Sequence, residues 1–240
     1  HAAASTDNSK YLDQNDDEKN NIIVGTLNYC RLAKKFHKKS KIVYCSSGAV
    51  YGYQPKNLQF LKEDDFFGDI SKLDNVKKSY AYAKRNSEIA IKELGEKDIN
   101  VSIARCFSFV GKYLPRDQHF AIGNFIADGN NGNDIEVKTD RLVFRSYMSA
   151  DDLVEWLLTI ADNSKKTCPI YNVASDKEIE IRELANVVSQ IFNVNTKTVE
   201  INKNAIEDRY IPSIEKAKKE LSLRINYGLK ESILMSIDED

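Results

Sequence analysis

The stretch Ser79-Tyr80-Ala81-Tyr82-Ala83-Lys84 places a phenol and an ammonium four residues apart, at Tyr80 and Lys84. Its residue types predict a helix from 79 to about 94, with Ser79 as a cap and Gly95 as a stop. Four residues is close to one helical turn, so the two groups share a face. A free tyrosine ionises near pH ~10, and a neighbouring positive charge favours the phenolate. Such a phenol can serve as a general acid or base near neutrality. In a chain with 12 tyrosines and many lysines, the pair by itself arises by chance. It gains meaning from the strand upstream, residues 41–46, which runs into Ser46-Ser47-Gly48-Ala49-Val50-Tyr51-Gly52. A hydroxyl from Ser46 or Ser47 at that strand end can hold an oxygen against the phenol. The trio suits moving a hydride and a proton onto or off an alcohol carbon.

The elements that must position these groups alternate along the chain. Residues 17–39 carry Ile23, Leu27, Cys30, Leu32, Ala33 and Phe36 at helical spacing; 41–46 reads as a buried strand, and 99–106 alternates and reads as the next strand. Helix and strand in alternation predict the α/β class: a parallel sheet with helices on both faces, joined by crossovers. Residues 53–78, with Pro55 and mixed charge, form a loop long enough to cover a site. After Gly111 the character changes to Pro115, a short helix near 122–126 and an Asn- and Gly-rich turn at 129–134, which predicts a smaller α+β lobe. A strand at 143–149, a helix at 150–162 capped by Asp151-Asp152, and a Tyr171 strand returning to the main sheet follow. Further helices are expected at 181–192, at 213–221 and from about 228. The expected grouping is 1–108 with 147–175, and 109–146 with 176–240.

Composition narrows the classes. Lys plus Arg number 35 against 36 Asp plus Glu, so no global field points to nucleic acid or to a membrane. The runs Lys34-Lys35 and Lys38-Lys39 read as a solvated helix end. The four cysteines, at 30, 45, 106 and 168, lack metal or disulfide spacing and read mainly as small core residues in a reducing compartment. No apolar run approaches the ~18 residues of a membrane span, and the polar start is no signal peptide. A soluble, cytoplasmic protein is expected. His37 and His119 read as surface residues without metal partners.

Five motifs in order carry a resemblance: Ser46 to Gly52, Tyr80-x-x-x-Lys84, Arg105-Cys106-Phe107-Ser108-Phe109-Val110-Gly111, Arg145-Ser146-Tyr147 with Asp151-Asp152, and Tyr171-Asn172-Val173. Together they resemble the extended short-chain dehydrogenase/reductase family, and within it the nucleotide-sugar epimerases and dehydratases. The resemblance implies a Rossmann-like domain, NAD or NADP as cofactor, a nucleotide-sugar substrate and a homodimer. It makes Ser47, Tyr80 and Lys84 the catalytic set, Ser46 being the packed neighbour of Ser47. It places Ala2, Ala3, Asn21, Ser46, Cys106 and Phe107 around the cofactor, although Ile22, not Asn21, stands where the family carries its asparagine. Ser108, Asn124, Phe125, Arg145 and Arg209 would meet the substrate, with Arg145 forking onto its diphosphate. A surface ion pair is the plain alternative for Arg145, and a solvated helix cap for Arg209.

Departures sharpen the expectation. The 4,6-dehydratases of the family usually carry Asp-Glu where this chain has Gly48-Ala49, and the UDP-glucuronate decarboxylases usually carry Glu in the second place. Without those acids, the chemistry left is epimerisation through a 4-keto sugar or net ketone reduction; a 4,6-dehydratase with an unusual site is the alternative. The family's glycine turn, which cradles the pyrophosphate at a helix N-terminus, is absent from these 240 residues. His1-Ala2-Ala3-Ala4 resembles the end of a family strand beside the dinucleotide. The expectation is therefore a C-terminal portion of a longer protein, lacking the first strands of its sheet. The rival of another class is a non-catalytic dinucleotide- or sugar-binding module.

Overall fold

A computed structural model describes residues 1–2, 15–65, 67–118 and 120–237. Ala3, Ala4 and His119 lie outside the described residues. Helix α1 (Asn15–Phe36) leads into β1 (Lys41–Ser47), then a long connection, α2 (Asn75–Gly95) and β2 (Asn100–Cys106). After β3 (Ser108–Val110), α3 (Ala121–Asn130) and β4 (Ile135–Val137), the chain forms β5 (Val143–Ser149), α4 (Ala150–Asp162) and β6 (Ile170–Val173). It ends with β7 (Glu178–Glu180), α5 (Ile181–Phe192), β8 (Thr196–Thr198), β9 (Asp208–Tyr210), α6 (Glu215–Leu221) and α7 (Leu229–Met235).

The main sheet has the order β1-β2-β6, all parallel, with Cys45 opposite Ala104 and Ala104 opposite Tyr171. Its two faces are covered separately. Ile42, Tyr44, Val101 and Ile103 pack beneath Cys30 and Ala33 of α1 and Ile91 and Leu94 of α2. Ala104, Tyr171 and Val173 pack on the other side against Trp156 and Ile160 of α4. Alternate side chains along each strand thus enter different cores, as the pleat requires. His1 extends the outer edge of β1, donating from its nitrogen to the Val43 carbonyl (2.8 Å) and accepting from the Cys45 N–H (3.0 Å).

A second sheet runs β3-β5-β7, with β9 also paired to β5. Its register sets Phe144 beside Arg209 and Arg145 beside Tyr210. Beneath it, Ile122, Phe125 and Ile126 of α3 meet Leu184, Ala185 and Val188 of α5. Strand β5 joins the lobes, since Ser146 to Ser149 continue into α4 on the main sheet. Residues 214–223 also return there: Ile214, Ala217 and Leu223 share a core with Ala104 and Trp156. Among the described residues no helix is long and apolar enough to cross a membrane.

Local signals place several elements where expected, α4 and α5 to the residue. Two caps differ. Helix α2 starts four residues before Ser79, because Asp74 accepts from the Lys77 N–H (2.8 Å) and opens it. Helix α4 is capped by the Ser149 hydroxyl, which accepts from the Asp151 N–H at 3.2 Å; the acidic pair lies in the first turn, where it complements the helix dipole.

Beneath the strand ends lies a polar network. Glu88 of α2 and Arg105 of β2 are both nearly inaccessible, and they meet through two bonds, Nε–Oε1 at 3.0 Å and Nη2–Oε2 at 2.8 Å. Ser46 donates to Glu88 Oε1 (2.7 Å). Arg105 Nη1 donates to the Tyr51 hydroxyl (2.8 Å), which donates to Asn172 Oδ1 of β6 (2.8 Å). Removing one partner of such a buried pair strands a charge and costs about 3–5 kcal/mol. Glu88→Ala is expected to lower unfolding free energy by that order in urea titration. A loss under about 1 kcal/mol would show that the network tolerates an unpaired Arg105.

Candidate active site

Strand β1 ends in two serines with opposite roles. The Ser46 side chain enters the α2 face and is held by Glu88. The next residue must face the other way. Ser47 accepts from the Ala49 N–H (3.2 Å), capping the 3₁₀ turn Gly48–Tyr51, and its hydroxyl lies 3.5 Å from that of Tyr210. Ser46 is therefore a framework residue here, not one facing a cofactor.

Helix α2 presents Tyr80 and Lys84 one turn apart, as their spacing implies. Tyr80 is half-buried against Ile22 and Ala83. Lys84 is 3 % exposed, and its ammonium donates to the Cys45 carbonyl at 2.9 Å. That bond ties the pair on α2 to the carboxyl end of β1. The ammonium sits 5.7 Å from the Tyr80 ring centre and 5.1 Å from that of Tyr44. Burial pushes the Lys84 pKa below the usual lysine range, with Cys106, Cys45 and Glu88 pulling the other way. One of its three N–H donors is used by the Cys45 carbonyl. The remaining donors fit the polar hydroxyls of a ribose, as a bound dinucleotide would offer.

Cys45 and Cys106 are neighbours beside Lys84. Interaction with Cys106 lowers the Cys45 pKa against the effect of burial, with Lys84 assisting. Cys106 moves upward through the same interaction and through its own burial, and its thiol donates to the Ala104 carbonyl (3.7 Å). Phe107 packs on Val50 and Tyr51, and its ring centre is 4.5 Å from that of Tyr210. Asn21 is exposed on α1, and Ile22 is the residue of that turn that reaches α2. Ala2 is exposed beside β1.

Gly48 is required by close approach. A Cβ there would lie 2.6 Å from Phe107 ring carbons and 2.6 Å from the Tyr210 hydroxyl. No carboxylate can stand at position 48 unless both aromatic rings move. The neighbouring Ala49 offers only a methyl group.

The residues assigned to substrate are dispersed. Arg145 forms an ion pair with Asp208 (3.0 Å), and donates to the carbonyls of Phe144 (2.8 Å) and Asp208 (3.1 Å). Burial of Asp208 works upward, yet Arg145 holds its carboxyl below the usual range. The Arg145 guanidinium also lies 5.9 Å from the Tyr210 ring centre. Arg209 is paired with Glu178 and Glu207 and lies over Phe144, so its charge is committed within the second sheet and away from a helix cap. Phe125 is core, and Asn124 donates to the Gln118 carbonyl (2.8 Å). Both border a cavity of about 570 Å³ that also carries Asp117, Asp128, Asp134 and Glu136 against Arg116 and Lys138. Four carboxylates against two cations disfavour a diphosphate there. Ser108 is half-buried at the start of β3, opposite Tyr147.

Tyr210 escaped sequence reading because its contact with Ser47 spans 163 residues. Glu88 escaped because a lone acid on a charged helix resembles a solvated one. A signal existed: Ala81, Lys84, Glu88 and Ile91 fall on one stripe of α2, and all four are buried.

The UDP-glucuronic acid decarboxylase 6 of Arabidopsis thaliana is 29% identical over 221 residues, covering 91% of this chain and 62% of that protein. A UDP-N-acetyl-alpha-D-glucosaminuronate decarboxylase from Bacillus cytotoxicus is 29% identical over 181 residues, covering 74% of this chain and 53% of that one. The chain thus spans less than two thirds of the length of these relatives. Among solved structures, the UDP-glucose 4-epimerase of Thermotoga maritima with UDP-glucose superposes with a TM-score of 0.81 at 18% identity, over 98% of this chain and 74% of that one. A dTDP-glucose 4,6-dehydratase of Streptomyces venezuelae with NAD bound gives 0.78 at 19% identity, over 97% and 69%. These likenesses establish a Rossmann-type α/β fold. A profile of the NAD dependent epimerase/dehydratase family matches residues 1–174, and the chain belongs to that family.

Proposed function

We propose that the protein of which this chain is part is an NAD(P)-dependent nucleotide-sugar enzyme, an epimerase or 4-keto reductase. The reading is supported by Lys84, which shares a face of α2 with Tyr80 and donates to the Cys45 carbonyl two residues before Ser47, at the carboxyl end of β1 where open parallel sheets bind ligands. When bound, the nicotinamide cofactor supplies the hydride acceptor and donor. Tyr80 takes the proton of the sugar C4 hydroxyl while the C4–H bond gives up its hydride, and returns that proton when the carbonyl is reduced. Lys84, fixed on the Cys45 carbonyl, stabilises the negative charge that develops on the phenol oxygen. Ser47 uses its lone pair for the Ala49 N–H and can turn its own O–H to the sugar oxygen. Residues 1–108 and 147–175 form the cofactor side and 109–146 with 176–240 the sugar side, except that 214–223 pack back against the main sheet; the setting is cytoplasmic. A homodimer fits the apolar side chains exposed on the paired helices α1 and α2 (Val24, Leu27, Tyr82, Ile89), and sedimentation should give twice the monomer mass.

The relatives' names favour a second reading, decarboxylation of a nucleotide-linked uronic acid. A 4-keto uronic acid is a β-keto acid, so C4 oxidation alone labilises its carboxylate. That chemistry does not demand a carboxyl at position 48 or 49. Incubating full-length protein with NAD and UDP-glucuronic acid separates the two: a C4 epimer supports the first reading, and release of carbon dioxide supports the second.

Either way, Tyr80→Phe should reduce turnover about 10²–10⁴-fold while leaving the Kd for the nucleotide sugar nearly unchanged, measured by single-turnover kinetics and calorimetry. Wild-type turnover in that variant would remove Tyr80 from the reaction. Elimination of water needs an acid and base that Gly48 and Ala49 lack. With dTDP-glucose or UDP-glucose, mass spectrometry is therefore expected to show no loss of water, and a 4-keto-6-deoxy product would replace this reading with the dehydratase.

A further inference from the structure

We infer that Tyr44 is a positioning residue for the acid/base pair: the face of its ring holds the Lys84 ammonium, still charged, beside Tyr80. The inference rests on the reading of Tyr80 and Lys84 as that pair. Tyr44 points from β1 toward α1 and α2, 1 % exposed, in the core formed by Ile42, Ile91 and Leu94. Its ring centre stands 5.1 Å from Lys84 Nζ, closer than the 5.7 Å of the Tyr80 ring. The ammonium therefore has two tyrosine rings as neighbours, one reacting and one not.

A cation buried this deeply needs partners, because desolvation favours its neutral form. The groups that face it are few. The Cys45 carbonyl takes one N–H. The Cys45 thiol on β1, the Cys106 thiol on β2 and Glu88 on α2 favour its charge from farther off. Glu88 is committed to Arg105 and Ser46, and among the described residues no carboxylate pairs with Lys84 directly. From α1 the core receives Tyr29 and Cys30, both kept neutral by burial, and the His1 ring lies 5.5 Å from that of Tyr44. An aromatic face within about 6 Å attracts a cation through its quadrupole, most strongly where water is excluded. Tyr44 suits that part. Burial raises its pKa to about 12, although the Ser87 and Thr26 hydroxyls work against the rise, so the ring stays neutral and takes no part in proton transfer.

The test keeps the shape of the ring and changes its charge distribution. In the full-length protein, Tyr44→Phe preserves the quadrupole and removes only the hydroxyl. Tyr44→pentafluorophenylalanine, introduced by stop-codon suppression, reverses the quadrupole. Carbon-13 lysine NMR reads Lys84 directly, its signal assigned by its loss in Lys84→Arg. An attraction that favours the ammonium raises the pKa of Lys84, so removing it lets the proton leave at lower pH. The expected midpoint is unchanged in Tyr44→Phe and lower by about one pH unit in the fluorinated variant, at a melting temperature near the parent's. The alkaline limb of kcat/KM should fall by the same amount. Equal midpoints in the two variants overturn the inference. So does a fall in Tyr44→Phe as large as in the fluorinated variant, which would assign the effect to the hydroxyl. A fluorinated variant that melts earlier with a parental midpoint would mark Tyr44 as core packing alone. Tyr80→Phe run alongside distinguishes the failures. If it keeps turnover while fluorination still moves the Lys84 midpoint, only the acid/base reading falls. If it loses turnover while the midpoint stays put, only the Tyr44 assignment falls.

Discussion

The bidentate pair between Arg105 and Glu88 is the contact on which the site depends. It joins β2 to α2 out of water, and its spare valences reach β1 through Ser46 and β6 through Tyr51 and Asn172. Three parallel strands and one helix are therefore stitched at the height where the strands end. A buried ion pair gives little net stability against an apolar substitute, because desolvating both charges offsets much of the attraction. What it provides here is position. Glu88 lies one turn beyond Lys84, so fixing Glu88 fixes the ammonium under Cys45 and, with it, the Tyr80 face of α2. Fully partnered polar networks of this kind hold a single arrangement, since any alternative leaves a charge without a partner.

A second constraint closes the site from the other lobe. Strand β9 has only three residues, yet its register on β5 sets Arg145, Asp208 and Tyr210 in one corner. The approach of Tyr210 and Phe107 to the β1 end requires the absence of a side chain at position 48. Gly48 is thus where Phe107, packed on Val50 and Tyr51, and Tyr210 of β9 meet the end of β1. The apolar packing of α3 on α5 holds the second sheet, and through it the ring of Tyr210. Geometry at the site is transmitted from packing some distance away.

Much of this was legible in sequence. Helices α4 and α5 follow from apolar periodicity alone, and the Tyr80–Lys84 spacing translates directly into a shared helical face. The parallel sheet followed from alternation of elements. The start of α2 was less legible, since Asp74 lies in a polar loop where a capping acid looks like any other. Long-range partners were not legible at all. Nothing local in Asp208-Arg209-Tyr210 says that the tyrosine meets Ser47, that Arg209 is consumed by Glu178 and Glu207, or that Arg145 is held by Asp208. Periodicity reports which face of an element is buried; it does not report against what.

The same distinction bears on how Arg145 can act. In the structure three of its five N–H donors are taken by Asp208 and two carbonyls. A diphosphate that drew on the donor now facing the Asp208 carboxylate would exchange one charge-assisted pair for another of similar strength. Lys77 also approaches Asp208, at 3.7 Å, so that carboxylate would keep a cation when Arg145 turned away. Such an exchange would therefore be close to balanced in charge. An arginine held in this way costs little to redirect and stays aligned beside Tyr210 until the exchange occurs. The acidic residue that looks like a structural partner is also what keeps the arginine from collapsing elsewhere in the second sheet.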